Sequence, residues 1–75
     1  NRIADDATLS DCTLGENVHV MAGATLSNVT LSNSLVFPES TIEDATIEDS
    51  IVDEHSEIHG KDLADSLVGS YSRLH

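Results

Sequence analysis

Seventy-five residues allow one small domain, and a single Phe, a single Tyr and no Trp leave little with which to fill a globular core. Fourteen Asp and Glu stand against Arg2, Lys61 and Arg73, for a formal net charge of −11. This argues against nucleic acid and an anionic membrane surface as partners, because both attract positive charge. Cys12, the single cysteine, excludes an internal disulfide. No stretch has the make-up of a leader peptide or a membrane span, so a cytoplasmic location is expected.

Along the chain, Ile3, Leu9, Leu14 and Val20 step by six, five and six, with Ala7 and Cys12 two residues before the second and third of them. Cys12 therefore falls on an inward small-residue position that suits a buried, inert thiol. Gly15 and Gly23 fall near corners, where positive φ is often required. From Val20 onward the schedule tightens into three aliphatic columns with a period of 16: Leu26, Ile42, Ile58, Leu74; Leu31, Ile47, Leu63; and Val20, Val36, Val52, Val68. Steps of five and six match no helical period of 3.6. A fixed period held over several copies is the mark of a stacked solenoid, in which each copy buries its apolar edge only against its neighbours.

Two residues before each aliphatic stands a small side chain: Ala24, Ser34, Ser40, Ala45, Ser50, Ser56, Ser66 or Ser72, with Val18 and Val29 slightly larger. In an extended strand those two positions share a face, so both point inward and the residue between them points out. The reading is an all-β parallel β-helix with one sheet per column, roughly four and a half coils and a stack about 20 Å tall. Thin coils need only Ile, Leu and Val inside, which resolves the shortage of aromatics. Pro38, two residues after Val36, belongs at a corner and not in a ladder that needs its N–H. Lys61 occupies a small-residue position, and an unpaired buried ammonium is costly, so the coil there is expected to bulge or the side chain to reach the surface. The chain starts at Asn1 with the pattern already running by Ile3 and no polar cap, and reads as a piece of something longer.

Outward positions carry the functional information. Before and after the third column lie His19, Leu35, Ile51 and Leu67, and Met21, Phe37, Asp53 and Gly69; the matching positions before the other columns are Thr25, Thr41, Glu57, Arg73, Thr30, Thr46 and Asp62. A contiguous apolar patch usually marks an interface, so His19, Met21, Leu35, Phe37, Ile51 and Leu67 are the candidate contacts with another subunit or a further domain. The plainer reading is that corner side chains are covered within the coil. Glu43, His59 and His75 recur every 16 residues and could hold a metal as a column, although exposed corners and a terminal histidine favour a simple surface row. Asp49 and Asp65 stack likewise, with Asn33 next in line. Like charges so close are costly unless counterions gather, which fits a high-salt setting better than acid–base catalysis in a cleft. No Ser–His–Asp arrangement, Gly-rich phosphate loop or paired-cysteine metal site is present, so no catalytic residue and no cofactor are assigned to this segment.

The hexad of a large aliphatic, three residues, a small residue and one more, as in Val20-Met-Ala-Gly-Ala24-Thr and Val36-Phe-Pro-Glu-Ser40-Thr, resembles the hexapeptide-repeat proteins. That resemblance implies a left-handed parallel β-helix, an exception to the right-handed crossover preference. The runs Ser34 to Ile42, Asp49 to Ile58 and Asp65 to Leu74 are similar to the C-terminal tail of long sugar-1-phosphate nucleotidylyltransferases of the glucose-1-phosphate thymidylyltransferase type, particularly acidic ones from halophilic archaea. The resemblance implies an upstream α/β domain that joins a nucleoside triphosphate to a sugar 1-phosphate with Mg2+, and a tail that serves homo-oligomeric assembly or packing on that domain. The nucleotide loop, lysines and metal-binding aspartates of that domain have no matching positions here. The alternative is a hexapeptide-repeat acyltransferase using acyl-CoA, in which His19 on the apolar flank is the candidate base, though no protruding loop follows it. A γ-type carbonic anhydrase ranks last, because His55 and His59 lie on different sides of one coil.

Overall fold

The alternation of large aliphatic and small residues places the chain in strands throughout. A computed structural model describes residues 1–74, and among these there is no helix. The strands are β1 (Arg2–Ile3), β2 (Thr8–Ser10), β3 (Thr13–Leu14), β4 (Val18–Val20), β5 (Thr25–Ser32), β6 (Ser34–Val36), β7 (Thr41–Glu48), β8 (Ile51–Val52), β9 (Glu57–His59), β10 (Leu63–Ala64), β11 (Leu67–Val68) and β12 (Arg73–Leu74). All pair in parallel with strands one coil away, and the stack is a left-handed β-helix of about five turns.

The register is set by the aliphatic columns. Leu26 lies opposite Ile42 and Ile42 opposite Ile58, Leu31 opposite Ile47, and Val20 opposite Val36. The core is these columns together with their small partners: Leu26, Leu31, Val36, Ile42, Ile47, Val52 and Ile58 are fully buried beside Ala24, Ala45, Ser40 and Ser56. A serine in such a core must hydrogen-bond, and each does so to a carbonyl. The Oγ–H of Ser40 donates to Asp53 O at 2.9 Å and that of Ser56 to Gly69 O at 2.9 Å, while Ser34 and Ser50 donate to Ser32 O and Glu48 O at 2.7 Å each. Ser34 Oγ in turn accepts from Ser50 N at 3.3 Å and Ser50 Oγ from Ser66 N at 3.1 Å, stitching adjacent coils.

Hydrogen bonding gives two sheets where one per column was expected. One holds the third column, in the order β1-β4-β6-β8-β11. The other joins the first two columns, in the order β12-β9-β7-β5-β2, with β3 beside β5 and β10 beside β7. At the corner between the two columns Asn28 and Asp44 take φ of 56° and 53° and drop out of the pairing, which resumes at once with Val29 opposite Ala45, so β5 and β7 continue on both sides of the turn. Asn28 Nδ2 also donates to Asp44 Oδ1 at 2.8 Å.

All three corners use left-handed residues. Asn17, Asn33, Asp49 and Asp65 form one ladder, Asp11, Asn28, Asp44 and Gly60 the second, and Gly23, Glu39, His55 and Tyr71 the third. Asn, Asp and Gly enter this conformation at least cost, so the stacked Asn33, Asp49 and Asp65 are corner-formers before they are charges. Gly15 is not at positive φ. A Cβ there would lie 3.0 Å from Ser32 Cβ, and its N–H donates to Leu31 O at 2.7 Å, so it is small for close approach. The looser spacing of the first coil is a single extra residue between Leu14 and Asn17: Leu14 pairs 17 residues ahead with Leu31, while Val18 pairs 16 ahead with Ser34. Lys61 is exposed, and the chain beside it leaves the ladder until Leu63.

Candidate functional site

The outward row of the first sheet is built by register alone. Arg2 pairs with His19, His19 with Leu35, Leu35 with Ile51 and Ile51 with Leu67, so five alternate-face side chains stand in line up one flank. Ile51 is 37% and Leu67 73% exposed, Arg2 and His19 are exposed, and Leu35 is half-buried. The row carries no acid in a chain that has fourteen. Met21 and Phe37 lie two residues further on, past the ends of β4 and β6, and are half-buried, so they border the row and do not extend it.

Two open grooves flank this row. One, of about 400 Å³, runs between Leu35 and Ile51 on one side and the corner ladder Asn17, Asn33 and Asp49 on the other, with Ser34 and Ser50 at its floor. Asn17 Nδ2 donates to Asn33 Oδ1 at 3.0 Å along its rim. The second, of about 410 Å³, is lined by Arg2, Ala4, His19, Val20, Met21 and Ala22. Among the described histidines, His19 opens on a groove, whereas His55 and His59 face carboxylates.

His59 Nδ1 donates to Glu43 Oε1 at 2.6 Å, its Nε2 lies 3.8 Å from Glu57 Oε1, and Arg73 Nε lies 3.4 Å from Glu57 Oε2. His59 and Glu43 are stacked as the spacing implies, but they are hydrogen-bonded to each other on an exposed face. His75, the third member of that column, lies outside the described residues. Among the described residues no group of three or more His, Cys, Asp or Glu converges to hold a metal ion. On the third corner ladder His55 Nε2 lies 3.6 Å from Glu39 Oε2, and its ring stacks on Tyr71 with centroids 4.8 Å apart and planes 6° from parallel. These pairs hold three residues poorly suited to positive φ; the sequence signal that could have found them is their 16-residue spacing from Gly23.

Cys12 is a free thiol and is half-buried, not buried as its position in the pattern suggests, because its coil is the first and has no neighbour beneath it among the described residues. Its Sγ lies 3.4 Å from Ser10 O and 3.5 Å from Leu26 O. Among the described residues no helix is long and apolar enough to cross a membrane.

No protein-family model matches this chain, and no curated protein matches it. Among solved structures it is similar to a protein of Desulfovibrio desulfuricans G20 provisionally assigned as an acetyltransferase, with a TM-score of 0.67 at 18% identity. The match covers 85% of this chain and 18% of that one, so this chain spans less than a fifth of that protein's length. What the two share is the fold, the hexapeptide-repeat β-helix.

Proposed function

We propose that the chain is the β-helix module of an acyl-CoA-dependent acyltransferase, that the row Leu35, Ile51 and Leu67 seats against a second copy of the β-helix, and that His19 is the general base. The observation that supports this best is the position of His19. It stands on the acid-free outward row, opens on a groove of about 410 Å³, and has no carboxylate partner among the described residues. The similar protein's assignment as an acetyltransferase points the same way. In the reaction the acceptor's amine or hydroxyl attacks the thioester carbonyl while an imidazole nitrogen takes its proton. The C–S bond then breaks, and the CoA thiolate leaves with a proton from the imidazolium. A positioned base of this kind contributes about 10²- to 10⁴-fold.

The test is CoA release from acetyl-CoA by the full chain with an amino-sugar phosphate as acceptor. His19→Ala should lower the rate about 10²- to 10⁴-fold with acetyl-CoA binding retained. A rate unchanged in His19→Ala, or a wild-type chain that does not bind acetyl-CoA, would overturn the reading.

A second reading, the assembly tail of a sugar-1-phosphate nucleotidylyltransferase, is favoured by the continuation of the apolar row through Ile51 and Leu67, two coils beyond His19 and without any chemistry-bearing neighbour on the row. It predicts Mg2+-dependent diphosphate release from a nucleoside triphosphate and a sugar 1-phosphate by the whole protein, untouched by His19→Ala. In either reading a cytoplasmic, salt-rich setting suits the corner ladder Asp49 and Asp65, because counterions at high ionic strength screen like charges one coil apart.

A further inference from the structure

We infer that Arg2 and His19 form a binding site for a compact oxyanion, a carboxylate or a phosphomonoester carried on a small apolar body. The chain has three basic residues. Arg73 is engaged by Glu57 at 3.4 Å, and Lys61 stands at the surface beside Asp62. Arg2 forms no ion pair among the described residues. It is instead register-paired with His19 across β1 and β4, so the guanidinium and the imidazole rise side by side from adjacent strands, about 4.8 Å apart at the backbone.

Between them and the following turn lies the 410 Å³ groove, and none of its lining residues is acidic: Ala4, Val20, Met21 and Ala22 complete it. In a molecule of net charge −11 an anion is repelled from most of the surface. Here two donors converge with no acid in the lining, and the carboxylate of Asp6 at the adjoining turn is engaged, accepting from Gly23 N–H at 3.1 Å. The guanidinium offers a planar fork that matches two oxygens of a carboxylate or phosphate, and the imidazole N–H supplies a third donor from the side. Met21, Ala4 and Ala22 give the rest of the ligand an apolar wall, which suits an anionic group at the end of a short carbon skeleton and not a free polyanion.

This site does not depend on acyl transfer. If His19 is also a base, the anion held by Arg2 is a substituent of the acceptor or of the acyl group. If it is not, the site still binds its anion.

The experiment is a titration of the His19 ring signals by NMR with inorganic phosphate, and separately with acetate, at fixed pH and fixed ionic strength balanced with chloride. The full chain should give a saturable shift of His19, with His55 and His59 unmoved because each faces a glutamate. Arg2→Met should weaken binding about tenfold or more, the loss of a charge-assisted pair, and Arg2→Lys should restore part of it. Tighter binding of phosphate than of acetate identifies a phosphomonoester ligand, and the reverse a carboxylate. A shift shared equally by the three histidines, or a titration unchanged in Arg2→Met, would overturn the site. CoA release is read separately, so failure of anion binding and failure of acyl transfer are distinguished.

Discussion

At the scale of single residues, the coil is shaped by the left-handed corners. Gly23 and Gly60 have φ of 71° and 66°, a conformation that costs an L-residue about 1–2 kcal/mol. They differ in surroundings. A Cβ on Gly23 would lie 3.0 Å from Glu39 Cγ, while one on Gly60 would meet nothing within 4 Å. Gly60→Ala should therefore lose only the conformational amount, about 1 kcal/mol, and Gly23→Ala more, as the Glu39 side chain is pushed off His55. Urea midpoints of the two variants check this; equal losses would show that the contact with Glu39 is immaterial. The corner residues were only half legible in the sequence. Asn33, Asp49 and Asp65 are visible as a column, but period alone does not say whether a repeated Asp is there for its carboxylate or for its backbone. Gly15 was misleading for a related reason: a glycine kept small by Ser32 and one kept flexible by a turn look alike in sequence.

At the scale of the elements, burial should follow position along the stack. Ile42 on β7 is fully enclosed by Leu26 below and Ile58 above, whereas Leu9 on β2 is half-buried and, among the described residues, pairs on one side with Leu26. Ile42→Ala should destabilise by about 2–5 kcal/mol and Leu9→Ala by less than about 2 kcal/mol. Equal losses in denaturant unfolding would contradict a core that is one continuous column. These columns were fully legible, since a large aliphatic every five or six residues with a small residue two before it has no other good solution than short inward-facing strands. The division into sheets was not. Asn28 and Asp44 lie inside strands while Asn33 and Asp49 end them, all four at similar φ, and the hydrophobic pattern is the same either way. Cys12 shows the same gap: the pattern gives its direction, inward, but its exposure depends on which coils lie beside it.

At the scale of the whole molecule, stability comes from stacking each coil on the next, and the proposed function rests on what the stack holds in line on its outside. The row His19, Leu35, Ile51 and Leu67 was legible as a stripe because the period fixes it, whereas Arg2, 17 residues before His19, was not. The convergence of Arg2 and His19 on a groove was not, since the sequence does not show that the first coil keeps register with the second across its extra residue. Leu35 and Ile51 point away from the core, and glutamates in their place should cost the coil itself little, about 0.5–1 kcal/mol each. Face-to-face packing of two β-helices would by contrast bury those glutamates unpaired and be lost. The decisive measurement is sedimentation velocity of the full chain and of its Leu35→Glu, Ile51→Glu double variant, with circular dichroism to show that the strands persist. The proposed packing predicts an oligomer for the first and a folded monomer for the second. A monomeric wild type, or one sedimentation coefficient shared by both, would contradict it.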